Sequence, residues 1–510
     1  MTKKRLTGAI YATAVILALS ACSGSTPAPS TSSSATTAPL LTLGTVVDVP
    51  SYDPADLRYG GEFPQLWAPV YDTLLKLDPD GGVSENLATE WSYNDDNTVL
   101  TMTLRDDVTF TDGAVFDASA VKANLEHFIA GSGTDRYLAD SIASVDVVDE
   151  YEVAISLSEP DPVLEYYLAQ SLGAVGSPEA LSSESIKLEP VGSGPYVLDT
   201  VDTLRGDQYV FTRNEDYWNA DDFPFDKLVV KVYSDVNARL NALTSGQIQG
   251  ARLNVSLMDQ ATASGLELYP NRVDWIGLNI MDRDGVIVPE LADVRVRQAI
   301  NSVFDREGML ENIDLGQGTV TEQIVGEASS AYDADLNETY EFDVDAAKDL
   351  MEDAGYADGF TVPMMDYSRY KTYQPYVEQA FAEINIAIDW IPVTDATAVE
   401  ESISGNFPIL IMSQAAPAQS WDALNVAYQS SYNAFDTVDP EFTALMETAQ
   451  SASGDEQEKA YRDANAWLVD NAWFAPWYYL DLIYATSDDI ALEVQAGSAG
   501  PQLRYYAPAE

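Results

Sequence analysis

The segment Val70–Phe128 constrains the fold more than any other part of the sequence, because apolar runs alternate there with turn residues. The alternating run Thr98–Leu104 is typical of a half-buried strand, and Asp112-Gly113 is typical of a tight reversal. Asp117 is placed to cap a helix that begins at about Ala118, since its carboxylate can accept from the first free amides. Taken alone, these patterns predict an α/β subdomain.

The same segment carries five short motifs in one order. They are Tyr71-Asp-Thr-Leu-Leu75, Leu77-Asp-Pro-Asp-Gly81, Leu87-Ala-Thr-Glu-Trp91, Leu104-Arg-Asp-Asp-Val108 and Phe110-Thr-Asp-Gly113. In order and spacing they resemble the family 5 extracellular solute-binding proteins, the peptide- and nickel-type binding subunits of ABC importers. Pro190-Val-Gly-Ser-Gly-Pro-Tyr-Val197 and Arg213-Asn-Glu-Asp-Tyr-Trp218 extend the resemblance, which covers roughly residues 40 to 508.

The resemblance implies the fold class and the domain organisation. We expect an α/β, periplasmic-binding-protein-like fold with two lobes, a hinge between them and an extra N-terminal subdomain, as in the large, peptide-binding-type class. The expected bounds are 40–60, 186–274 and 480–510 for lobe I, 61–185 for the extra subdomain of lobe I, and 275–479 for lobe II. Ligand sites favour such interfaces between lobes.

The N-terminus predicts export and a lipid anchor. Three basic residues precede the apolar run Ala9–Leu19, which is too short for a comfortable membrane span, so residues 1–22 are expected to be a lipoprotein signal peptide. Leu19-Ser-Ala-Cys22 resembles a bacterial lipobox, in which the Cys22 thiol is lipidated; the alternative is an ordinary signal peptide with a chance cysteine. Residues 23–39 are a Ser/Thr/Pro linker. The predicted location is extracytoplasmic, in the periplasmic space or its equivalent, anchored to the outer face of the cell membrane.

The charge balance excludes one class of partner. With 26 basic and 82 acidic residues the formal net charge is −56, which disfavours nucleic acid because phosphates need basic patches. The acidic surface fits a heavily hydrated protein, such as that of a salt-tolerant organism. It also fits a field that captures cationic ligands.

The residues that catalysis or metal binding would need are scarce. The chain has one cysteine and one histidine, His127, which lies beside Glu126 on the predicted helix and is expected at the surface. Zinc and haem sites therefore lack a ligand set, and we expect neither a metal nor another cofactor. Ser193 has no suggested base, and neither a G-x-S-x-G elbow nor a P-loop occurs in the sequence. The chain is predicted not to be an enzyme.

Candidate ligand-binding residues come first from the strand predicted to leave lobe I for lobe II, Val273–Asn279. Its alternate residues Trp275, Gly277 and Asn279 share one face of a strand and are site candidates. The alternative for Trp275 is a buried core tryptophan. Tyr52 is a further candidate, because Ser51-Tyr-Asp-Pro54 resembles a family segment that lies by the ligand cleft.

A second group of candidates comes from the resemblance alone. Peptide-binding members hold the ligand backbone by β-type hydrogen bonds and pair its amino group with an Asp in a W-x-x-D-Y-x-D-P-like stretch. The corresponding segment in this chain, Ser413–Asp422, has one Trp and one Asp in a different order. Its candidate ligand-binding residues, together with a tyrosine that follows, are Gln414, Trp421, Asp422 and Tyr428.

We therefore expect the extracytoplasmic solute-binding component of an ABC importer. It would capture a ligand, an oligopeptide in the first place, between two lobes and deliver it to the permease and ATPase subunits as a monomer. The alternative within this role is a non-peptide solute such as an oligosaccharide or a chelate, since aromatic faces with a few polar anchors suit these equally. A ligand sensor and a secreted hydrolase are the alternatives outside it.

Overall fold

The computed structural model of the protein describes residues 40–428, 432–496 and 500–509. The predicted signal peptide, Cys22 and the linker 23–39 lie outside the described residues and stay predictions. No helix in these described ranges is long and apolar enough to cross a membrane.

The strands are numbered in chain order. They are β1 Leu40–Thr45, β2 Leu75–Leu77, β3 Val83–Glu85, β4 Ala88–Tyr93, β5 Val99–Leu104, β6 Ile142–Asp149, β7 Glu152–Leu157, β8 Tyr196–Leu198, β9 Gln208–Arg213, β10 Lys227–Val232, β11 Gly250–Leu253, β12 Glu267–Ile280, β13 Gly318–Val320, β14 Phe360–Tyr367, β15 Ile386–Val393, β16 Ile409–Ala415, β17 Phe474–Thr486, β18 Ile490–Leu492 and β19 Tyr506–Pro508.

The α-helices lie between these strands. They are α1 Pro64–Trp67, α2 Ala118–Ala130, α3 Leu164–Leu168, α4 Pro178–Leu181, α5 Val236–Thr244, α6 Met258–Ala263, α7 Val294–Ser302, α8 Arg306–Ile313, α9 Val344–Asp353, α10 Gln374–Glu383, α11 Ala398–Ser402, α12 Ser420–Asn425, α13 Pro440–Ser451 and α14 Gly454–Asp470.

The largest sheet in the described part of the chain has nine strands, in the order β16-β12-β17-β11-β1-β10-β9-β8, with β13 paired to β17. Strands β12 and β17 are 14 and 13 residues long, and this length lets them run through both the β11 side and the β16 side of the sheet. The first half of β12 pairs with the end of β17 that also pairs with β11. The second half of β12 lies between β16 and the beginning of β17.

The pairing of β12 with β17 is interrupted near its middle. The register shifts between Arg272 and Asp274, so that Val273 is an extra residue on β12. A bulge of this kind bends its strand and increases the local twist. The bend therefore lies where the sheet passes from its β11 side to its β16 side.

A separate antiparallel sheet, β4-β5-β7-β6, is formed by residues 88–157. The expected strand over 98–104 is confirmed as β5, on which Leu100, Met102 and Leu104 alternate and are buried. The expected helix is confirmed as α2, with Asp117 accepting from the Ala120 amide at 2.9 Å. These elements share a core that is distinct from the cores on the nine-stranded sheet.

Candidate ligand-binding cleft

A cavity of about 900 Å³, which we call the cleft, lies against the middle of β12 and β17. Val273, Asp274 and Ile276 line it from β12, and Leu480 and Leu482 line it from β17. The bulged part of the nine-stranded sheet is thus a wall of the cleft. The remaining walls come from segments that are distant in sequence, so the cleft depends on the tertiary fold.

Asp422 supplies a carboxylate to the cleft from the first turn of α12. Its Oδ1 accepts a hydrogen bond from the Tyr167 hydroxyl at 2.8 Å. Burial raises the pKa of Asp422 to about 6; the bond from Tyr167 lowers this pKa and the negative charge of Asp161 raises it. A carboxylate with so little solvent around it gains strongly from a cation at its free oxygen.

Tyrosine rings surround this carboxylate. Tyr59, Tyr137, Tyr166 and Tyr167 line the cleft. The rings of Tyr166 and Tyr167 are tilted against each other with centroids 6.1 Å apart. Burial raises the pKa of each of the four phenols, so they stay neutral donors at neutral pH. Aromatic faces beside a carboxylate favour a cationic group by electrostatics.

Two guanidinium groups also line the cleft, those of Arg252 on β11 and Arg369. Neither makes a hydrogen bond or an ion pair with another residue in the described ranges. Their charges lower the pKa of Asp274, although burial of that carboxyl is the larger effect and raises it. An Arg without a bonded partner has its donors free for a ligand carboxylate.

The edge of β16 provides backbone and amide groups. Ser413, Gln414 and Ala415 line the cleft, and β16 pairs with β12 alone among the described strands. The Ser413 amide donates to the Tyr370 hydroxyl at 3.0 Å. An unpaired strand edge presents N–H and C=O groups that an extended chain can use.

Of the ligand-binding residues predicted from the sequence, the structure brings Gln414 and Asp422 together in the cleft. Tyr52 is fully buried in another core and its ring meets that of Tyr209 edge-on. Trp421 is half-buried beside the helical core of α12–α14, and Tyr428 packs on Phe442 with ring centroids 5.1 Å apart. These three aromatic residues lie outside the described lining of the cleft.

The cleft uses the opposite face of β12 from the one predicted. Because side chains alternate along a strand, Asp274 and Ile276 reach the cleft, while Trp275 points away and packs on Phe474. Close packing of β12 on β17 explains the glycine at position 277, since a Cβ there would lie 2.4 Å from the Ala475 carbonyl oxygen.

Asn279 is also committed to the protein interior. It is fully buried, its Nδ2 donates to the Tyr432 carbonyl at 3.0 Å, and its Oδ1 accepts from Arg283 at 3.0 Å. Trp275, Gly277 and Asn279 are therefore not part of the cleft.

The sequence did not identify the other polar and aromatic residues of the cleft, among them Tyr167, Arg252 and Asp274. Asp274 could have been predicted from alternation along β12, because it lies on the opposite face of the strand from Trp275. Arg252 lies on the short strand β11, and its lack of a hydrogen-bonded partner is visible only in the structure. Nothing in the local pattern around Tyr167 distinguishes it from a core tyrosine.

His127 is less exposed than predicted. Its side chain is 29% exposed, and its Nε2 lies 2.5 Å from Oδ1 of Asp53. The hydrogen bond with Asp53 raises the pKa of His127. Clusters of three or more His, Cys, Asp or Glu side chains that could hold a metal are absent from the residues that the structure describes.

Known proteins resemble this chain in sequence and in fold. The family model described as "Bacterial extracellular solute-binding proteins, family 5 Middle" matches residues 82–436. The glutathione-binding protein GsiB of Salmonella paratyphi A is 30% identical over 331 residues, 62% of this chain and 62% of that protein. The aligned segment thus spans less than two thirds of the length of the relative.

Two solved structures share the fold. HbpA2 from Haemophilus parasuis matches with a TM-score of 0.82 at 20% identity, over 92% of this chain and 100% of that chain. The periplasmic binding protein DppA from Helicobacter pylori, in complex with the peptide STSA, matches with a TM-score of 0.73 at 19% identity, over 92% of this chain and 98% of that chain. The predicted two-lobe α/β fold is confirmed, and at these identities the likeness concerns the fold alone.

Proposed function

Because the chain belongs to the bacterial extracellular solute-binding proteins of family 5, we propose that it captures an oligopeptide in the cleft and delivers it to the permease of an ABC importer. Family members named in the comparisons are binding proteins, and the described lining of the cleft holds no histidine, cysteine or lysine. We accordingly propose a binding role without turnover.

One observation carries the choice of ligand: the cleft holds the half-buried carboxyl groups of Asp422 and Asp274 and two guanidinium groups without a hydrogen-bonded partner. Asp422 would bind the ligand's amino group, and Arg252 and Arg369 its carboxylate. Charge-assisted hydrogen bonds of this kind are about twice as strong as neutral ones. A peptide with free termini satisfies both signs of charge at once.

The other proposed contacts are to the peptide backbone and side chains. The edge of β16 near Ser413 and Gln414 would hydrogen-bond an extended backbone. The four cleft tyrosines would pack against side chains and the ammonium group. The proposed site is then Tyr59, Tyr137, Tyr166, Tyr167, Arg252, Asp274, Arg369, Gln414 and Asp422.

The peptide class is favoured over the alternatives by charge. A neutral oligosaccharide has neither a carboxylate for Arg252 and Arg369 nor a cation for Asp422, so it would form none of these charge-assisted hydrogen bonds. A metal chelate would satisfy the two arginines through its carboxylates but would give Asp422 no cation. Glutathione, which the relative GsiB is named for binding, is itself a tripeptide with a free amine and falls within the proposed class.

We further propose the setting in which the protein acts. Cys22, following Leu19-Ser-Ala, would carry the lipid that anchors the protein to the outer face of the cell membrane, and residues 23–39 would hold the folded part away from it. The protein would present its ligand as a monomer to permease and ATPase subunits. The lobe bounds predicted from the sequence, with the extra subdomain over 61–185, are part of this proposal.

Mass spectrometry of what co-purifies with the protein tests the proposed ligand class. The protein would be purified without added ligand, denatured, and its small-molecule fraction analysed. Short peptides with free termini are expected. A single sugar or metal chelate would contradict the peptide class while leaving the binding role, and an empty cleft would be followed by thermal-shift screening, in which a true ligand raises the Tm by mass action.

A further inference from the structure

A second cavity of about 290 Å³, which we call the side pocket, adjoins the cleft. The two cavities share five wall residues, which are Arg369, Tyr370, Ser413, Gln414 and Tyr432. A group that passes between these shared residues leads from the cleft into the side pocket. The side pocket is therefore a branch of the proposed binding site.

The walls of the side pocket beyond the shared residues are mainly apolar. They include Met365, Tyr367, Ala398, Val399, Leu410 and Met412. Leu410 is buried with Met281 and Phe407 in a small core, so this wall of the pocket is held by packing. Methionine side chains are flexible and adapt to apolar groups of different shape.

The space for the pocket arises from strand pairing. Met365 and Tyr367 end β14, which pairs with β15 and not with β16 among the described strands. The edge of β16 facing them is thus uncovered, and α11 closes the far side with Ala398 and Val399. At the rim, Val399 is 77% exposed.

The charge of the side pocket differs from that of the rest of the protein. The chain has 82 acidic residues, yet no carboxylate occurs among the described lining residues of this pocket. Arg369 is the one charged side chain in that lining, and it stands at the junction with the cleft. An uncharged apolar recess beside a charged cleft suits the side chain of a ligand whose charges lie in the cleft.

We infer that the side pocket is a specificity pocket for a large apolar side chain, leucine or an aromatic residue, of the peptide held in the cleft. The inference rests on the proposed function and adds to it a preference for certain peptide sequences. The protein would then select peptides with one large apolar residue at a fixed position over peptides of small residues.

Calorimetric titration of the full protein with four tripeptides tests this preference. The probes are Ala-Ala-Ala, Leu-Ala-Ala, Ala-Leu-Ala and Ala-Ala-Leu. One leucine position is expected to bind about 10-fold to 100-fold more tightly than Ala-Ala-Ala, because a leucine side chain leaves water for an apolar site. The other two leucine probes should bind like Ala-Ala-Ala.

Variants at Val399 locate the preference in the side pocket. Val399→Asp places a carboxylate at the rim, and Val399→Trp fills the space; both should remove most of the leucine preference, measured within each variant as the ratio of its affinities for the preferred leucine tripeptide and for Ala-Ala-Ala. The matched control is Val201→Asp, the same change at a position that is 87% exposed and outside both cavities. It should keep the preference.

The outcomes separate the inference from the proposed function. If all four tripeptides bind with equal affinity, or if the preference survives both Val399 variants, the side pocket has no such role and the peptide-binding proposal stands. If none of the tripeptides binds, while another class of solute does, the proposed ligand class fails and the inference fails with it.

Discussion

The hydroxyl of Tyr167 lies 2.8 Å from Oδ1 of Asp422 and joins two segments that are 255 residues apart in the sequence. Tyr167 belongs to the predicted extra subdomain and Asp422 to the predicted lobe II. The contact closes one wall of the cleft and holds the carboxylate in place. In the proposed function, the same carboxylate anchors the ligand's amine, so ligand binding and the contact between these two segments share one residue.

Replacing Asp422 by Asn should change how stability depends on pH. The pKa of Asp422 is raised to about 6, above the ordinary value of 3.8. An acid whose pKa is raised by folding contributes stability below its unfolded pKa, and this contribution is lost as the pH rises through about 6. Asn does not titrate, so the Tm of D422N relative to wild type should increase by several degrees from about pH 4 to about pH 8.

Thermal unfolding of ligand-free protein at the two pH values checks this prediction. The control is Asn254→Gln, a change between two neutral side chains at an exposed position, whose Tm difference from wild type should be the same at both pH values. If the Tm difference between D422N and wild type were also the same at both pH values, folding would not raise the pKa of Asp422.

The two cleft arginines should bind the carboxylate of the ligand. Arg252→Gln and Arg369→Gln remove the charge but keep a hydrogen-bond donor. We expect at least one of them to lower the affinity for a peptide with a free C-terminus by about 10-fold to 100-fold, as hydrogen bonds to charged groups contribute about 1.5–3 kcal/mol. The same variant should bind the C-terminal amide of that peptide as wild type does.

Titration calorimetry with the acid and the amide distinguishes this effect from a general loss of structure. Arg462→Gln, at a side chain that is 43% exposed on α14, is the control and should bind both forms normally. Equal affinities of wild type for the acid and the amide would remove the two arginines from the proposed site.

His127 should titrate above its ordinary pKa of 6.5, because its hydrogen bond with Asp53 favours the charged form. Its stabilising contribution should be complete below about pH 6.5 and disappear as the pH rises through the folded-state pKa. Asp53→Asn should lower the pKa. The chain has one histidine, so a single imidazole NMR signal reports the titration without assignment. An unchanged midpoint in the variant would show that the pair is not coupled.

Gly277→Ala should destabilise the protein without a specific effect on ligand. The added Cβ would lie 2.4 Å from the Ala475 carbonyl oxygen on the paired strand. Overpacking of this kind costs about 1–3 kcal/mol in the free energy of unfolding. Gly60→Ala, where a Cβ would meet no atom within 4 Å, is the stability control in a urea titration. A neutral G277A would contradict the tight pairing of β12 with β17.

The sequence predicted the elements well where one local rule governs them. Asp117 caps α2 because its neighbours leave free amides, and β5 alternates because one face is buried. The two-lobe fold followed from ordered motifs and not from periodicity.

The site was harder to predict, and β12 shows why. Alternation tells which residues share a face, but both faces of β12 are largely buried from Val273 onward, so it does not tell which face meets a cavity. Gln414 and Asp422 were found because a motif identified their segment. Tyr167 and Arg252 reach the cleft from segments far from it in the sequence, and only the tertiary fold brings them there.

The most direct test of the claim that Asp422 binds the ligand's amine is a thermodynamic double cycle, in which the carboxylate and the amine are removed separately and together. The affinity of the tightest-binding tripeptide and of its N-acetyl form would be measured by calorimetry on wild type and on D422N. We predict that acetylation and the substitution each weaken binding about 10-fold or more, and that acetylation costs little once Asp422 is replaced. The account would be contradicted if acetylation lowered the affinity by the same factor in wild type and in D422N. It would also be contradicted if wild type bound the acetylated peptide as well as the free one.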